Sequence, residues 1–352
     1  MTDWLMFPDM AISAQPATSP WVRRWLWLVT AMVFAMVIVG GATRLTESGL
    51  SITEWQLVTG VLPPLSEMQW QAEFRNYQQI PQYAQLVPGM DLAGFKFIFL
   101  WEWGHRLLGR LVGLTVGLPL LWFALRRSLP PTYALKLTGV FVLVCLLGFV
   151  GWWMVQSGLS GRVEVSQYRL ATHLLLASLL FSCLVWLATG LKPRAEAADR
   201  GLRALASLLL LLVFLQIGLG ALVAGLRAGL DYNTWPLMAG RLVPPVEDLG
   251  RLQPLWLNLF ENPTTVQFLH RMTAYALLAL ALAQVLAASY AGGPALRRSL
   301  VIAGLVLCQA ALGIATLLWA VPLWTALLHQ GFAMLVLGMA VVHARITHQC
   351  AP

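Results

Sequence analysis

Residues 100–124 read LWEWGHRLLGRLVGLTVGLPLLWFA, with Glu102, His105, Arg106 and Arg110 gathered at one end and no charge from 111 to 124. A bilayer core is crossed by about 20 apolar residues in helical form. Ionisable groups confined to one end of such a run belong at a membrane boundary, where they are costly unless used or paired. Seven further runs of this kind stand at 25–43, 134–155, 168–190, 204–225, 265–289, 299–319 and 323–344. The predicted fold is therefore an all-α integral membrane protein of eight transmembrane helices. Of 352 residues, 59% are hydrophobic and 11% charged, which excludes a water-soluble globule of this size. The 16 Trp and 14 Phe suit interfacial anchors. The first run follows Arg23 and Arg24 without a small-residue cleavage site, so it reads as a retained anchor.

The net charge of +8 is a matter of location, not of nucleic-acid binding, which is not expected. With the N-terminus inside, the inner segments hold twelve basic residues, among them Arg126, Arg127, Arg297 and Arg298, against four acids. The outer segments hold eight basic residues against eleven acids. Cytoplasmic loops retain Lys and Arg, so both termini are expected inside and the connections 44–98 and 226–264 outside. Asp3 and Asp9 precede the first basic residue, unlike an Arg-rich transit segment, which points to a bacterial inner membrane. Cys145, Cys183 and Cys308 lie in apolar runs and Cys350 in the tail, with no CxxC, so no cysteine chemistry is expected.

The chain repeats. Trp55, Gly60 and Pro63-Pro64 are matched by Trp235, Gly240 and Pro244-Pro245; His105-Arg106 is matched by His270-Arg271, and His173 by His329. Two pseudo-symmetric four-helix bundles of like orientation follow, spanning 25–190 and 204–345. They are flanked by inner segments 1–24, 191–203 and 346–352. Membrane lipid surrounds the bundles, and small residues such as Gly113, Gly117 and Gly139 allow a homo-oligomer.

Four of the six histidines, His105, His173, His270 and His329, fall on the even-numbered helices. At about 1.5 Å per residue each lies roughly 24 to 32 Å from its inner boundary, so all four share one level near the outer face. A single membrane histidine usually makes an interhelical hydrogen bond. Two facing histidines in a bundle can instead supply both axial nitrogens to a heme iron, one heme per bundle. Zinc or copper would also accept imidazole but generally wants three or four close ligands. Arg106 and Arg271, each next to a histidine, could pair with heme propionates or snorkel to headgroups. Arg44, Arg110, Arg169 and Arg227 are weaker candidates of that kind.

The halves differ at one place. Glu102 precedes His105 by three residues on the same helix face, whereas Gln267 stands before His270. The carboxylate is either a functional acid beside the first pair or the partner of Arg106 at i+4. The asymmetry favours chemistry in the N-terminal half and a fixed, electron-handling heme in the C-terminal half.

These residues resemble the heme A synthase family in its mitochondrial and proteobacterial branch. The resemblance runs through residues 40–51 (GGATRLTESGLS), Trp55, Gly60 and Pro63-Pro64, then 95–99 (FKFIF) leading into Glu102-Trp103-Gly104-His105-Arg106. It continues in Trp153-Met154-Val155, Ser157-Gly158-Leu159, 233–238 (NTWPLM), Gln267-Phe268-Leu269-His270-Arg271 and His329-Gln330. It implies oxidation of the C8 methyl of heme O to a formyl group through a hydroxymethyl intermediate, giving heme A for cytochrome oxidase. It also implies Glu102 as the essential acid, His105 and His173 as ligands of the substrate heme, and His270 and His329 as ligands of a heme b cofactor. A heme O synthase would be the donor. Other members carry a cysteine pair in the first outer loop; residues 44–98 contain none, leaving heme b and an electron-transfer partner as the electron route. Two other classes also use paired histidines: a diheme electron carrier, which would place its hemes near opposite faces, and a heme transporter or chaperone.

Overall fold

The structure, a computed structural model, describes residues 20–56, 59–159, 161–192 and 200–349. The expectations for residues 1–19, for 193–199 of the inner linker and for 350–352 of the tail lie outside them. Lipid offers no hydrogen bonds to a bare backbone, so a chain this apolar crosses it as helices. Among the described residues eight helices are long and apolar enough to span: α1 (Pro20–Leu45), α4 (Leu92–Arg126), α5 (Pro131–Gln156), α6 (Gln167–Gly190), α7 (Arg200–Gly225), α10 (Pro263–Ala291), α11 (Gly293–Leu318) and α12 (Leu323–Thr347). The short helices α2 (Glu67–Tyr77) and α3 (Pro81–Leu86) lie in the first long connection, and α8 (Val246–Leu249) and α9 (Asn258–Glu261) in the second. No strand occurs among the described residues, only an isolated bridge between Met238 and Arg241.

All eight expected runs are helices, and α4 and α11 begin furthest ahead of where hydropathy alone places them. Helix α4 starts at Leu92 because Asp91 caps the amide of Gly94 at 2.8 Å, and Phe95 and Phe99 bury against α2. Phe74 stacks on Phe95 at 5.0 Å and Trp70 meets Phe99 edge-on at 5.0 Å, which welds α2 over the N-terminal end of α4. Helix α11 starts at Gly293, so Arg297 and Arg298, assigned above to an inner loop, lie within it. Arg298 is buried and donates to Nδ1 of the equally buried His343 at 3.3 Å.

In the first four spanning helices α1 packs on α4 and α6, and α5 lies between α4 and α6. In the last four, α7 packs on α10 and α12, and α11 lies between α10 and α12. The sets meet where α1 touches α12, α6 touches α7, and α6 touches α12. A core of Val, Leu, Ile and Met runs through all of these contacts. Small residues set how near the sets come: a side chain at Gly41 would collide with the Gln330 amide, which itself donates to the Val37 carbonyl at 2.7 Å. A Cβ at Gly331 would stand 2.6 Å from Ile38. Gly117, read above as a surface for self-association, faces Phe141 of α5 within the chain, at 2.9 Å from a Cβ built there. Cys145, Cys183 and Cys308 are free thiols.

Overpacking a close helix contact costs about 1–3 kcal/mol. Gly41→Val therefore lowers the thermal midpoint of the detergent-solubilised protein by several degrees. An unchanged midpoint would show that α1 and α12 are not in contact there.

Candidate functional site

Each of the four histidines stands against a glycine of a neighbouring helix. A Cβ built on Gly40 of α1 would lie 3.0 Å from the His105 ring, and one on Gly151 of α5 would lie 3.3 Å from His173. In the last four helices Gly220 of α7 brings the same Cβ to 3.2 Å from His270, and Gly313 of α11 to 2.8 Å from His329. A side chain at any of these glycines would occupy the space in which the imidazole turns. All four imidazoles line one cavity of about 2510 Å³ that runs through both sets of helices and is walled mostly by apolar side chains. Pockets for single small ligands measure about 300–1,000 Å³, so this one has room for more than one large molecule. His105 lies within electrostatic reach of His173, and His270 of His329, so each set of helices brings one pair to the cavity.

The donor set fits a heme in each part. Two imidazoles per part match axial ligation, and no group of three His, Cys, Asp or Glu residues that could hold a bare metal ion exists among the described residues. The ring nitrogens Nδ1 of His173 and His270 are buried without a partner.

Beside the histidines, arginine clasps fasten the long connections. Arg106 donates from Nη1 to the Glu54 carbonyl at 2.9 Å and from Nη2 to the Ile52 carbonyl at 2.8 Å. Arg271 does the same to Thr234 at 2.9 Å and Tyr232 at 2.8 Å. The clasped carbonyls thus lie two residues apart in both loops, and each pair ends beside a repeated tryptophan, Trp55 or Trp235. Glu102 is buried beneath the first clasp. Its Oε1 accepts from Arg106 Nε at 2.9 Å, and its Oε2 accepts from the Ser51 hydroxyl and the Ile52 amide, both at 2.8 Å. At the matching site the Gln267 amide donates to the carbonyls of Ala228 at 2.8 Å and Tyr232 at 3.3 Å. The same joint is charged in one half and neutral in the other.

The structure thus brings every expected site residue to the cavity wall: Glu102, His105, Arg106, His173, His270, Arg271 and His329. Glu102 and Arg106 do form the i,i+4 pair, and most donors of the two arginines go to loop carbonyls; Arg271 Nε is buried and unpartnered among the described residues. Of the weaker candidates, Arg44 pairs with Glu164 at 2.7 Å, while Arg227 pairs with both Glu164 and Glu47. This network ties the end of α1 and the α5–α6 connection to the loop after α7. Sequence reasoning missed Ser51, the four glycines, and Gln216 and Gln309 beside His270 and His329. A lone amide within an apolar run was the signal for the glutamines.

The chain matches the family model of the COX15-CtaA cytochrome oxidase assembly proteins over residues 23–341, and it belongs to that family. It is 60% identical to a protein named heme A synthase from Beijerinckia indica, over 93% of each chain. It is 54% identical to one of the same name from Mesorhizobium japonicum, covering 94% of this chain and 92% of that one. A third, from Agrobacterium fabrum, is 51% identical over 97% of this chain and 94% of its own.

Removing one partner of a buried ion pair costs about 3–5 kcal/mol, because the other charge is left stranded. Arg106→Met is therefore expected to lower thermal stability strongly and expose residues 50–56 to proteolysis. Combining it with Glu102→Gln recovers part of the loss, and a double variant no better than Arg106→Met would refute the pairing.

Proposed function

We propose that this chain is a heme A synthase, a membrane oxidoreductase that converts the C8 methyl of heme O to a formyl group through the hydroxymethyl stage. The product serves cytochrome oxidase. The observation that supports this most directly is the pairing of two histidine sites in one cavity, of which only one has a buried carboxylate beside it. The names of the relatives agree with it.

In this reading the chain forms two pseudo-symmetric bundles, 25–190 and 204–345, joined by the inner linker 191–203. His105 and His173 hold the iron of the substrate, heme O. His270 and His329 would hold heme b, which supplies electron transfer when bound. Arg106 and Arg271 stand at the outer edge of the cavity, where propionates would lie, and the free Nε of Arg271 is a donor for one. Glu102 Oε2, bonded to the Ser51 hydroxyl, is the atom placed to take up the proton released when the methyl group is oxidised, the electrons passing to the electron-transfer partner. The clasped loop holds this carboxylate in place and keeps bulk water from the reacting edge. Both termini are cytoplasmic, the heme sites face the outer side of a bacterial inner membrane, and a heme O synthase and an electron-transfer protein are the partners.

The test is heme extraction and mass analysis of protein co-expressed with a heme O synthase. Wild type yields heme A or its hydroxymethyl precursor. Glu102→Gln lowers stability by stranding Arg106, yet the folded protein keeps both bound hemes and stops at heme O, and His105→Ala abolishes product as well. Heme b alone in wild type overturns the enzyme reading in favour of an electron carrier or heme handler.

A further inference from the structure

The two sets of helices are fastened differently at their two ends. Where α1 and α7 finish and α6 begins, Arg44 and Arg227 pair with Glu47 and Glu164. At the opposite end, where α6 and α12 finish and α5 begins, the seam between the sets is lined by cations. Arg345 of α12 lies against Gly190, the last residue of α6, where a built Cβ would stand 2.7 Å from its Nη2. Its guanidinium covers the Trp186 ring at 4.9 Å from the centroid. Arg345, Lys136 and Tyr133 border a cavity of about 70 Å³ at this seam. None of the ion pairs among the described residues involves Lys136 or Arg345. Tyr133 is only 8% exposed, and its hydroxyl and the Nε of Arg345 are both buried without a partner.

A cation is favoured at a helix C-terminus, and a lysine near a membrane boundary ordinarily snorkels to water. Those effects account for each charge singly. They do not account for a tyrosine hydroxyl buried on the same small cavity, because a buried O–H without an acceptor is costly. Two cations and an O–H that converge on so small a volume form a donor set for a compact oxyanion, such as a phosphate group. The helix beside it is open to lipid. Leu135 is 74% exposed, and a Cβ built on Gly139, three residues after Lys136, meets no atom within 4 Å. A phosphate that carries acyl chains can lay them along this stretch of α5.

We propose that the cavity binds the phosphate of an anionic phospholipid such as phosphatidylglycerol, which joins the two sets of helices at the end away from the Arg44–Glu164 network. The Tyr133 hydroxyl donates to a phosphate oxygen, and Arg345 and Lys136 balance its charge. Residues of α5 and α6 from the first set and of α12 from the second meet on one headgroup. The site is independent of what the histidines bind.

A cation near an anionic headgroup contributes about fivefold in affinity, and a hydrogen bond to a charged group about tenfold. The full-length protein in mild detergent is titrated with phosphatidylglycerol, phosphatidylcholine or inorganic phosphate. Native mass spectrometry counts bound lipid, and the thermal midpoint is followed alongside. Wild type holds one phosphatidylglycerol more tightly than phosphatidylcholine, and its midpoint rises with that lipid but not with inorganic phosphate. Lys136→Gln weakens the lipid about fivefold, and Tyr133→Phe, which removes one oxygen, weakens it about tenfold. Arg126→Gln takes a cation from the same end of the protein, where it stacks on Trp122 instead, and leaves the affinity unchanged. Wild-type affinity in both Lys136→Gln and Tyr133→Phe overturns the proposal. An equal loss in Arg126→Gln overturns it in favour of unspecific surface charge, and an equal midpoint gain from inorganic phosphate overturns the lipid as the occupant.

Discussion

An imidazole between two helices in a bilayer needs a neighbour without a side chain. That constraint sits at four points, where Gly40, Gly151, Gly220 and Gly313 face His105, His173, His270 and His329. Membrane helices gain little from hydrophobicity against lipid and associate through close packing. Here four of the close glycine contacts are made to polar rings. The glycines lie on the odd-numbered spanning helices and the histidines on the even-numbered ones, so each ring is held by two helices at once. The cavity they border stays apolar because the remaining contacts are made by Val, Leu and Ile.

The two long connections depend on the same helices. Arg106 and Arg271 follow their histidines directly, so the helix turn that aims an imidazole into the cavity also aims a guanidinium at the loop. Each arginine satisfies two loop carbonyls that would otherwise be left without donors near the membrane. Substituting Glu for Gln at one clasp changes its charge without changing its geometry. A buried carboxylate and a buried amide thus occupy matching places beside the two clasps.

Much of this was legible in the chain. Eight apolar runs, the repeated His-Arg pairs and the Glu102 and Gln267 difference are readable from spacing alone. What spacing could not give was partner identity. Phe95 and Phe99, flanking Lys96, fall outside the apolar run by hydropathy until α2 is folded over them, so the expected start of α4 comes too late. Arg297 and Arg298 look like loop charges, because hydropathy does not register a buried arginine paired to His343. Gly117 looked like an external contact surface until Phe141 filled it. Ser51 and the glutamines were unremarkable as letters, since their role depends on which helix stands opposite.

The network of Arg44, Glu47, Glu164 and Arg227 joins the two sets of helices with two positive and two negative groups. The Arg44 and Glu164 side chains are only 21% and 22% exposed, so solvent compensates a lost charge poorly. Replacing any one of the four with a neutral residue leaves an odd charge at the mouth of an apolar cavity. The four positions are therefore bound to a common history: in a diverging lineage they can be exchanged in compensating sets, and rarely one at a time.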